Sequence, residues 1–427
     1  MKYLDVVVEN KSRHTDSFFT YRAPDETELR IGDKVWVPFG RGDKTKAGFV
    51  FAFPEHISCP EQKIKEIEGV DAAGSLNREM MKTAAWMKQR YAITYSDAIS
   101  CFCVKGKPPR EGKAKEPYKD LPGRDERPAA LTEEQTASVE CINEAIAASR
   151  HEIFLLHGVT ASGKTEVYME AIDKCLKLDK TAIMLVPEIA LTNQIMEHFI
   201  GRFGKDSLAV MHSKLTPRER YDEWHRIRSG RARIVIGARM GVFAPAENIG
   251  LIIMDEEHEA TYKSDMTPKY DTVEVAAKRL QTTGGVLLLG SATPSVVSYE
   301  RAKEGIYQLL TLKQRYNRNP LPRVEIVDMR EELRAGNTNI FSRRLYTAIE
   351  ETLKKGQQVI LFQNRRGYSN FVSCRSCGKA MKCPHCDVSL SEHKGGRLIC
   401  HYCGYMQPMP KLCPKCGSKY ILGFKAG

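Results

Sequence analysis

Five short apolar runs set the pattern of the middle of the chain: Ile153–Leu156, Thr181–Val186, Arg233–Ile236, Leu251–Met254 and Val286–Leu289. Each is mostly β-branched or aliphatic, and stretches with helical spacing separate them. A strand with one wet face alternates apolar and polar positions, whereas a run apolar throughout is buried on both faces; with helices between the runs, the pattern predicts a parallel sheet. An α/β lobe is therefore expected over 130–320. Ahead of it, Lys34–Pro38 and Ala47–Phe53 mix β-branched and aromatic residues among glycines at turn spacing, which predicts a small β-rich domain. Between Asn77 and Cys103 the period becomes helical, with Met80, Met81, Ala84, Trp86, Met87 and Tyr91 as the apolar stripe, so this first domain with its trailing helices is placed at 1–104. From 105 to 129 Lys, Glu, Pro and Gly replace large apolar side chains, as in a solvated linker. Beyond 320, an amphipathic helix over Arg343–Lys355 and a strand over Gln358–Phe362 predict the start of a second α/β lobe at 321–370. A Cys-rich module follows at 371–420, then a short end at 421–427.

The composition narrows the setting. The chain of 427 residues has 65 Lys and Arg against 53 Asp and Glu, a net +12, with 42% hydrophobic positions. That balance excludes wholesale disorder, and no apolar stretch approaches the roughly 20 residues needed to cross a bilayer. Met1 to Glu9 holds no secretory cleavage site, so a soluble protein of the reducing cytoplasm is expected. The positive excess points to a polyanionic partner such as nucleic acid, a weak signal by itself.

Two motifs carry phosphate chemistry. Gly158-Val159-Thr160-Ala161-Ser162-Gly163-Lys164-Thr165 fits G-x-x-x-x-G-K-[ST] between a strand and a helix, the context in which backbone N–H groups close around phosphates. Gly158, Thr160, Ser162 and Gly163 are expected to cradle a nucleotide, Lys164 to reach its β- and γ-phosphates, and Thr165 to ligate Mg²⁺. Leu251-Ile252-Ile253-Met254-Asp255-Glu256-Glu257-His258 is an apolar strand ending in acids, which sets carboxylates at the sheet's carboxyl edge beside that loop. Asp255 is expected to hold Mg²⁺ and Glu256 to act as the base that orients water. Together the two motifs make an NTPase. Further on, Tyr262-Lys263 and Lys269-Tyr270 interleave rings and cations in a loop, a pattern suited to unpaired bases and phosphates and also to an ordinary solvated segment.

Four C-x-x-C pairs follow: Cys374/Cys377, Cys383/Cys386, Cys400/Cys403 and Cys413/Cys416. Disulfides would need an oxidising compartment and redox chemistry would use one pair, so two tetrahedral Cys₄ zinc sites are expected. Spacing alone leaves their pairing open. His401 is read as a spectator, and Cys59, Cys101, Cys103, Cys141 and Cys175 have no partner pattern.

These motifs, in this order, resemble helicase superfamily 2 and within it the PriA family of replication-restart helicases. Leu131–Gln135 is similar to a Q motif, Pro187–Thr192 to motif Ia, Gly237–Pro245 to motif Ib, Gly290–Pro294 to motif III and Asn364–Tyr368 to motif IV. The resemblance implies a RecA-like motor lobe in which Gln135 reads adenine, Arg239, Tyr262, Lys263 and Tyr270 contact single-stranded DNA, and Ser291 and Thr293 couple nucleotide state through Asp255 or Glu256. It implies that Phe19, Thr20, Gly40 and Lys65 line a pocket for the 3′ end of a DNA strand, although Thr20 stands where some members carry an acid. It also implies a nested zinc order, first pair with fourth and second with third. The polar stretch 105–129 is too short for the family's winged helix, which is expected to be reduced or absent. Motifs V and VI are missing before Gly427, which reads as a fragment or truncation. The expected function is an ATP-dependent 3′-to-5′ DNA helicase, using ATP, Mg²⁺ and two Zn²⁺. It would recognise forks and D-loops and load the replicative helicase in the bacterial cytoplasm. The implied partners are primosome proteins and single-stranded DNA-binding protein, with the chain a monomer and no membrane involved. The rival reading is a catalytically defective zinc-bearing fragment that binds ATP and nucleic acid.

Overall fold

The computed structural model describes all residues except 11, 58–59, 105–116, 119, 125–126, 188–192, 319, 321, 363–371, 394–395 and 424–427. The chain forms two compact units, Met1–Pro320 and Leu321–Gly427.

The first unit opens with strands β1 (Lys2–Val8), β2 (Phe19–Ala23), β3 (Lys34–Phe39), β4 (Lys44–Ala52) and β5 (Gly69–Asp71), in an antiparallel sheet of order β2-β1-β4-β3-β5. Period-two alternation sorts its side chains. Leu4, Val6, Val8, Tyr21, Val35, Val37 and Val50 close one core, while Val7 and Phe49 turn to the other face. Helices α1 (Arg78–Tyr91) and α2 (Tyr95–Ser100) cover that second face. The Asn77 side chain caps α1 by accepting from the Met80 N–H, and Ala92 ends it in the left-handed region at φ 50°.

The α/β lobe follows as α3 (Glu133–Ala147), β6 (Ile153–Gly158), α4 (Lys164–Lys177), β7 (Thr181–Leu185), α5 (Asn193–Phe203), β8 (Leu208–Met211), α6 (Pro217–Arg228), β9 (Ile234–Gly237), β10 (Ile249–Asp255), α7 (Thr272–Thr283), β11 (Val286–Ser291), α8 (Val296–Lys303) and β12 (Gln308–Leu312). Its seven strands are parallel, in the order β12-β6-β11-β10-β7-β9-β8. The five strands expected from the apolar runs all form. The two that the pattern did not predict, β8 and β12, are the two edges: β8 is buried but only four residues long, and in β12 Leu309 is 40% exposed.

Successive residues of each central strand enter different cores. Phe154, Leu156, Ile253 and Leu288 pack with α3, α4 and α5. Leu155, Ile252, Met254 and Leu287 pack with α6, α7 and also with Met80, Met87 and Phe102 from the N-terminal helices. The N-terminal domain therefore shares a core with one face of the lobe. The stretch expected to be a solvated linker is partly docked: Tyr118 and Leu121 pack on the lobe, and Arg124 pairs with Glu197 of α5 at 3.0 Å. Apolar area under two of its residues outweighs its polar composition.

In the second unit, α9 (Met329–Arg334) and α10 (Arg343–Lys354) precede short strands β13 (Val372–Cys374), β14 (Ser391–His393), β15 (Arg397–Ile399), β16 (Met406–Pro408) and β17 (Ile421–Gly423). The strand expected at Gln358–Phe362 does not form. It pairs with no strand among the described residues, and Ile360 and Phe362 are 91% and 83% exposed. A strand needs a neighbour to satisfy its backbone, and local pattern cannot supply one. No helix is long and apolar enough to cross a membrane among the described residues.

One buried ion pair crosses the shared core. Arg279 on α7, with no exposed surface, donates from Nε and Nη2 to the Glu79 carboxylate of α1 at 2.8–3.2 Å. Its Nη1 donates to the carbonyls of Val242 and Ala244 at 2.6 and 2.9 Å. Removing one member leaves a buried charge unpaired, at a cost of about 3–5 kcal/mol. Glu79→Ala should lower the urea midpoint of the first unit accordingly, and the double variant Glu79→Leu, Arg279→Met should recover part of the loss.

Candidate functional site

The phosphate loop lies where β6 ends and α4 begins. Ala161 (φ 64°) and Gly163 (φ 80°) take left-handed conformations that turn the backbone into a cradle. A Cβ on Gly163 would stand 2.2 Å from Gln135 Nε2, so this glycine is demanded by its neighbour as well as by its dihedral. Lys164 Nζ donates to the Gly158 carbonyl at 2.9 Å, Ser162 Oγ is buried without a hydrogen-bond partner, and Thr160 and Thr165 are exposed. Gln135 is placed differently from the expectation that it reads adenine. It is buried, its Oε1 accepts from the Thr132 N–H at 2.8 Å and its Nε2 donates to the Ser162 carbonyl at 2.8 Å. Both ends of the amide are thus spent on capping α3 and bracing the loop. A segment not foreseen, following β12, closes another side: the Tyr316 N–H donates to the Ala161 carbonyl at 2.9 Å.

Strand β10 brings the acids to the same sheet edge. Asp255 Oδ1 accepts from the Tyr168 hydroxyl at 2.9 Å. Glu256 sits at φ 48°, and its carboxyl pKa is raised, first by burial and then by the charge of Asp255, with Lys164 and His258 pulling the other way. The left-handed step at Glu256 folds the next residues back beneath motif III, where the Glu257 N–H donates to the Gly290 carbonyl at 3.0 Å. Glu257, missed in the sequence, is buried and accepts from the Ser295 N–H at 2.6 Å and the Ser298 hydroxyl at 2.9 Å, fastening the start of α8. Its one sequence signal is a third acid upstream of S-x-x-S. Ser291 was expected to bond Asp255 or Glu256. Instead its Oγ lies 2.8 Å from His258 Nδ1 and accepts from the Thr293 N–H at 3.0 Å, so His258, 3.6 Å from Glu256, stands between motif III and the acids.

The aromatic loop is the clearest correction. Tyr262 and Tyr270 are 2% and 6% exposed, so neither ring offers a face to a base. Desolvating a large ring is favourable wherever its hydroxyl keeps a partner. The Tyr262 hydroxyl finds two, the Asp255 carbonyl at 2.7 Å and the Leu185 carbonyl at 3.0 Å. Tyr270 packs edge-on against Phe243 at 4.9 Å. Arg239 Nη1 donates to the carbonyls of Thr261 and Lys263 at 3.0 and 2.7 Å, on either side of Tyr262, and the Lys263 side chain is 76% exposed.

At the N-terminal sheet, Phe19 meets Phe39 edge to face at 5.0 Å, with both rings half-buried and Lys46 Nζ 5.1 Å from the Phe39 ring centre. The Thr20 hydroxyl donates to Asp5 Oδ1 at 2.8 Å across the β1–β2 pairing. The carboxylate that Thr20 lacks therefore stands on the neighbouring strand. Gly40 (φ 84°) has nothing within 4 Å of a would-be Cβ, so its turn is open on that side; Lys65 pairs with Asp43.

The cysteines form two groups, Cys374, Cys377, Cys413 and Cys416, and Cys383, Cys386, Cys400 and Cys403, each with its sulfurs within 4.8 Å of one another. This is the nested order. Cross-pair Sγ separations of 3.6 Å for Cys374–Cys416 and 3.5 Å for Cys383–Cys403 are close to the edge of a tetrahedron with 2.3 Å Zn–S bonds, about 3.8 Å, and far from a disulfide. His401 belongs to neither group and lies 3.3 Å from His393 Nε2. Cys101, Cys103, Cys141 and Cys175 form no disulfide, and burial pushes Cys103 and Cys175 up to about 12. Cys59, most of motif Ia (188–192) and motif IV (364–368) lie outside the described residues.

Three family profiles match the chain: a 3′DNA-binding domain of PriA over residues 5–103, a DEAD/DEAH box helicase over 132–302 and the PriA DNA helicase Cys-rich region over 383–408. The chain is 50% identical over 337 residues to the replication restart protein PriA of Bacillus subtilis (strain 168), covering 78% of this chain and 42% of that protein. It is 37% identical over 414 residues to the PriA of Treponema pallidum (strain Nichols), covering 94% of this chain and 61% of the relative. Over these segments the chain is similar to the PriA family. It spans between two fifths and three fifths of the length of these two relatives.

The nested zinc order of a PriA-family Cys-rich region has a direct check by metal content. The freshly reduced chain should hold two Zn²⁺. Cys374→Ser with Cys416→Ser should remove one ion, and Cys374→Ser with Cys383→Ser should remove both; a sequential pairing would reverse those two results. The raised Glu256 pKa gives a second expectation. Ionised Glu256 is held in a site that disfavours its charge, so Glu256→Gln should melt higher than the parent above the raised pKa. The difference should shrink towards zero as pH falls and Glu256 protonates. Melting curves from pH 4 to pH 8 measure it.

Proposed function

We propose that this chain is the DNA-sensing and nucleotide-binding part of an ATP-dependent 3′-to-5′ DNA helicase of replication restart, acting at abandoned forks and D-loops and admitting the replicative helicase there. The observation that carries the reading is a shared core: the 3′-end-binding domain and the helicase lobe pack as one unit, bolted by Glu79 and Arg279. A strand end held by the first is thereby held at a fixed place relative to the second. The names of the PriA relatives support the same reading.

The residues at the sheet edge suit Mg-ATP. Ser162 Oγ is buried and unpartnered, the loop turns through left-handed residues, and the N-terminus of α4 begins beneath it. Lys164 would exchange the Gly158 carbonyl for phosphate oxygens, and Thr165 and Asp255 would hold Mg²⁺. Bound Mg²⁺ neutralises charge on the phosphoryl group in flight. Glu256 takes the proton of the attacking water, and its raised pKa makes it a stronger base than an ordinary carboxylate. Arg239 and Lys263 are the cations through which a DNA strand would reach the loop bearing Tyr262, and so the backbone of Asp255.

In the N-terminal pocket, Phe19 supplies the ring for a terminal base and Asp5, with Thr20, the acceptor for a terminal hydroxyl. A groove of about 600 Å³ between α1 and α7, lined by Lys82, Trp86, Gln89, Lys278, Gln281 and Thr282, offers cations and no carboxylate, and there we place an acidic protein partner. Binding to two DNAs tests the reading. Phe19→Ala and Asp5→Asn should weaken binding to a fork with an abutting 3′ end on the order of tenfold, the value of one stacked base, and leave plain single strand nearly unaffected. Lys164→Ala should abolish nucleotide binding without changing either DNA affinity. Equal losses on fork and single strand would remove the pocket from the mechanism.

A further inference from the structure

Tyr168 has no part in the phosphate loop or in any acid motif, yet it reaches the centre of the nucleotide site. It lies one helical turn beyond Lys164 on α4, so the helix that presents the loop also extends to the end of β10. The ring is wholly buried, packed in the core between α4 and the sheet. Its hydroxyl has one direction to point, and there it meets Asp255 Oδ1 at 2.9 Å. Gly290 makes the room, for a Cβ at that position would lie 1.7 Å from the hydroxyl. From the other side the Tyr262 hydroxyl holds the Asp255 carbonyl at 2.7 Å.

We propose that Tyr168 is a positioning residue for the carboxylate that would hold Mg²⁺: by donating to Oδ1 of Asp255 it fixes the rotamer of that side chain, with Gly290 as its steric complement. The inference rests on the nucleotide reading given above. A hydrogen bond to a metal-holding group orients it, and losing such a bond costs about 10–100-fold in metal affinity. Tyr168→Phe keeps the ring and deletes only the oxygen.

The test uses the full 427-residue chain, with fluorescent N-methylanthraniloyl-ADP bound first without metal and then titrated with MgCl₂. Metal-free affinity should be the same for the parent and Tyr168→Phe. The half-saturating Mg²⁺ concentration should rise roughly tenfold in Tyr168→Phe, the lower end of that range. In an Asp255→Asn background the same change should have no further effect, because the partner it positions has lost its charge. An unchanged Mg²⁺ midpoint in Tyr168→Phe, whatever its melting temperature, or shifts that add in the double variant, would reduce Tyr168 to a packing residue. A parent chain that binds the nucleotide neither with nor without Mg²⁺ would overturn the nucleotide reading itself, and this inference with it.

Discussion

A parallel sheet buried on both faces has room for polar chemistry only at its ends. The central strands of this lobe are apolar along nearly their whole lengths, so the first positions free to carry charge are where β6, β10 and β11 stop. The strands run parallel, so all three stop at the same edge. Lys164, Asp255, Glu256, Ser291 and His258 meet there although they come from separate parts of the chain. The hydrophobic pattern that builds the core also assembles the site.

The same edge is stiff for a reason that can be named bond by bond. Gln135 braces the phosphate loop, Tyr168 and Tyr262 hold Asp255 from side chain and backbone, and Glu257 ties the acid turn to α8. Each is a polar group in a dry setting, where an unmade hydrogen bond is expensive and a made one is directional. Glu256 is left where burial and a like charge oppose its ionised form, as suits a base. The N-terminal domain inherits that stiffness because its helices complete one face of the lobe core.

The Cys-rich part of the second unit obeys a different rule. Its apolar core is a handful of side chains, among them Val372, Met381, Leu390, Leu398 and Ile421, with cysteines interleaved. That area cannot offset the entropy of ordering the segment, and metal–thiolate bonds supply what the core lacks. Nesting lets the outer pairs, Cys374/Cys377 and Cys413/Cys416, close the module around the inner ones, and β13 and β17 pair beside them.

Whatever depended on short-range order was legible in the sequence: the five buried strands, the loop closing on Lys164, the acids at Asp255 and Glu256 and the four cysteine pairs. These are features a chain encodes within one element or one turn, because the side-chain period and motif spacing are local. Tertiary structure decided the rest. Tyr168 and Asp255 lie 87 positions apart, Arg279 and Glu79 200 apart, and Thr20 and Asp5 meet only through a strand register. Nothing in the periodicity around any of them names its partner. Tyr262 and Tyr270 have a composition that suits either a stacking loop or a buried one, and only the space beside Phe243 and the open carbonyls of Leu185 and Asp255 settled which. The strand expected at Gln358–Phe362 had the right residues and no neighbour among the described residues. A chain can specify locally what each segment is able to form, but a hydrogen bond or a strand pairing needs a second group. Where that group stands is fixed only when the whole core closes.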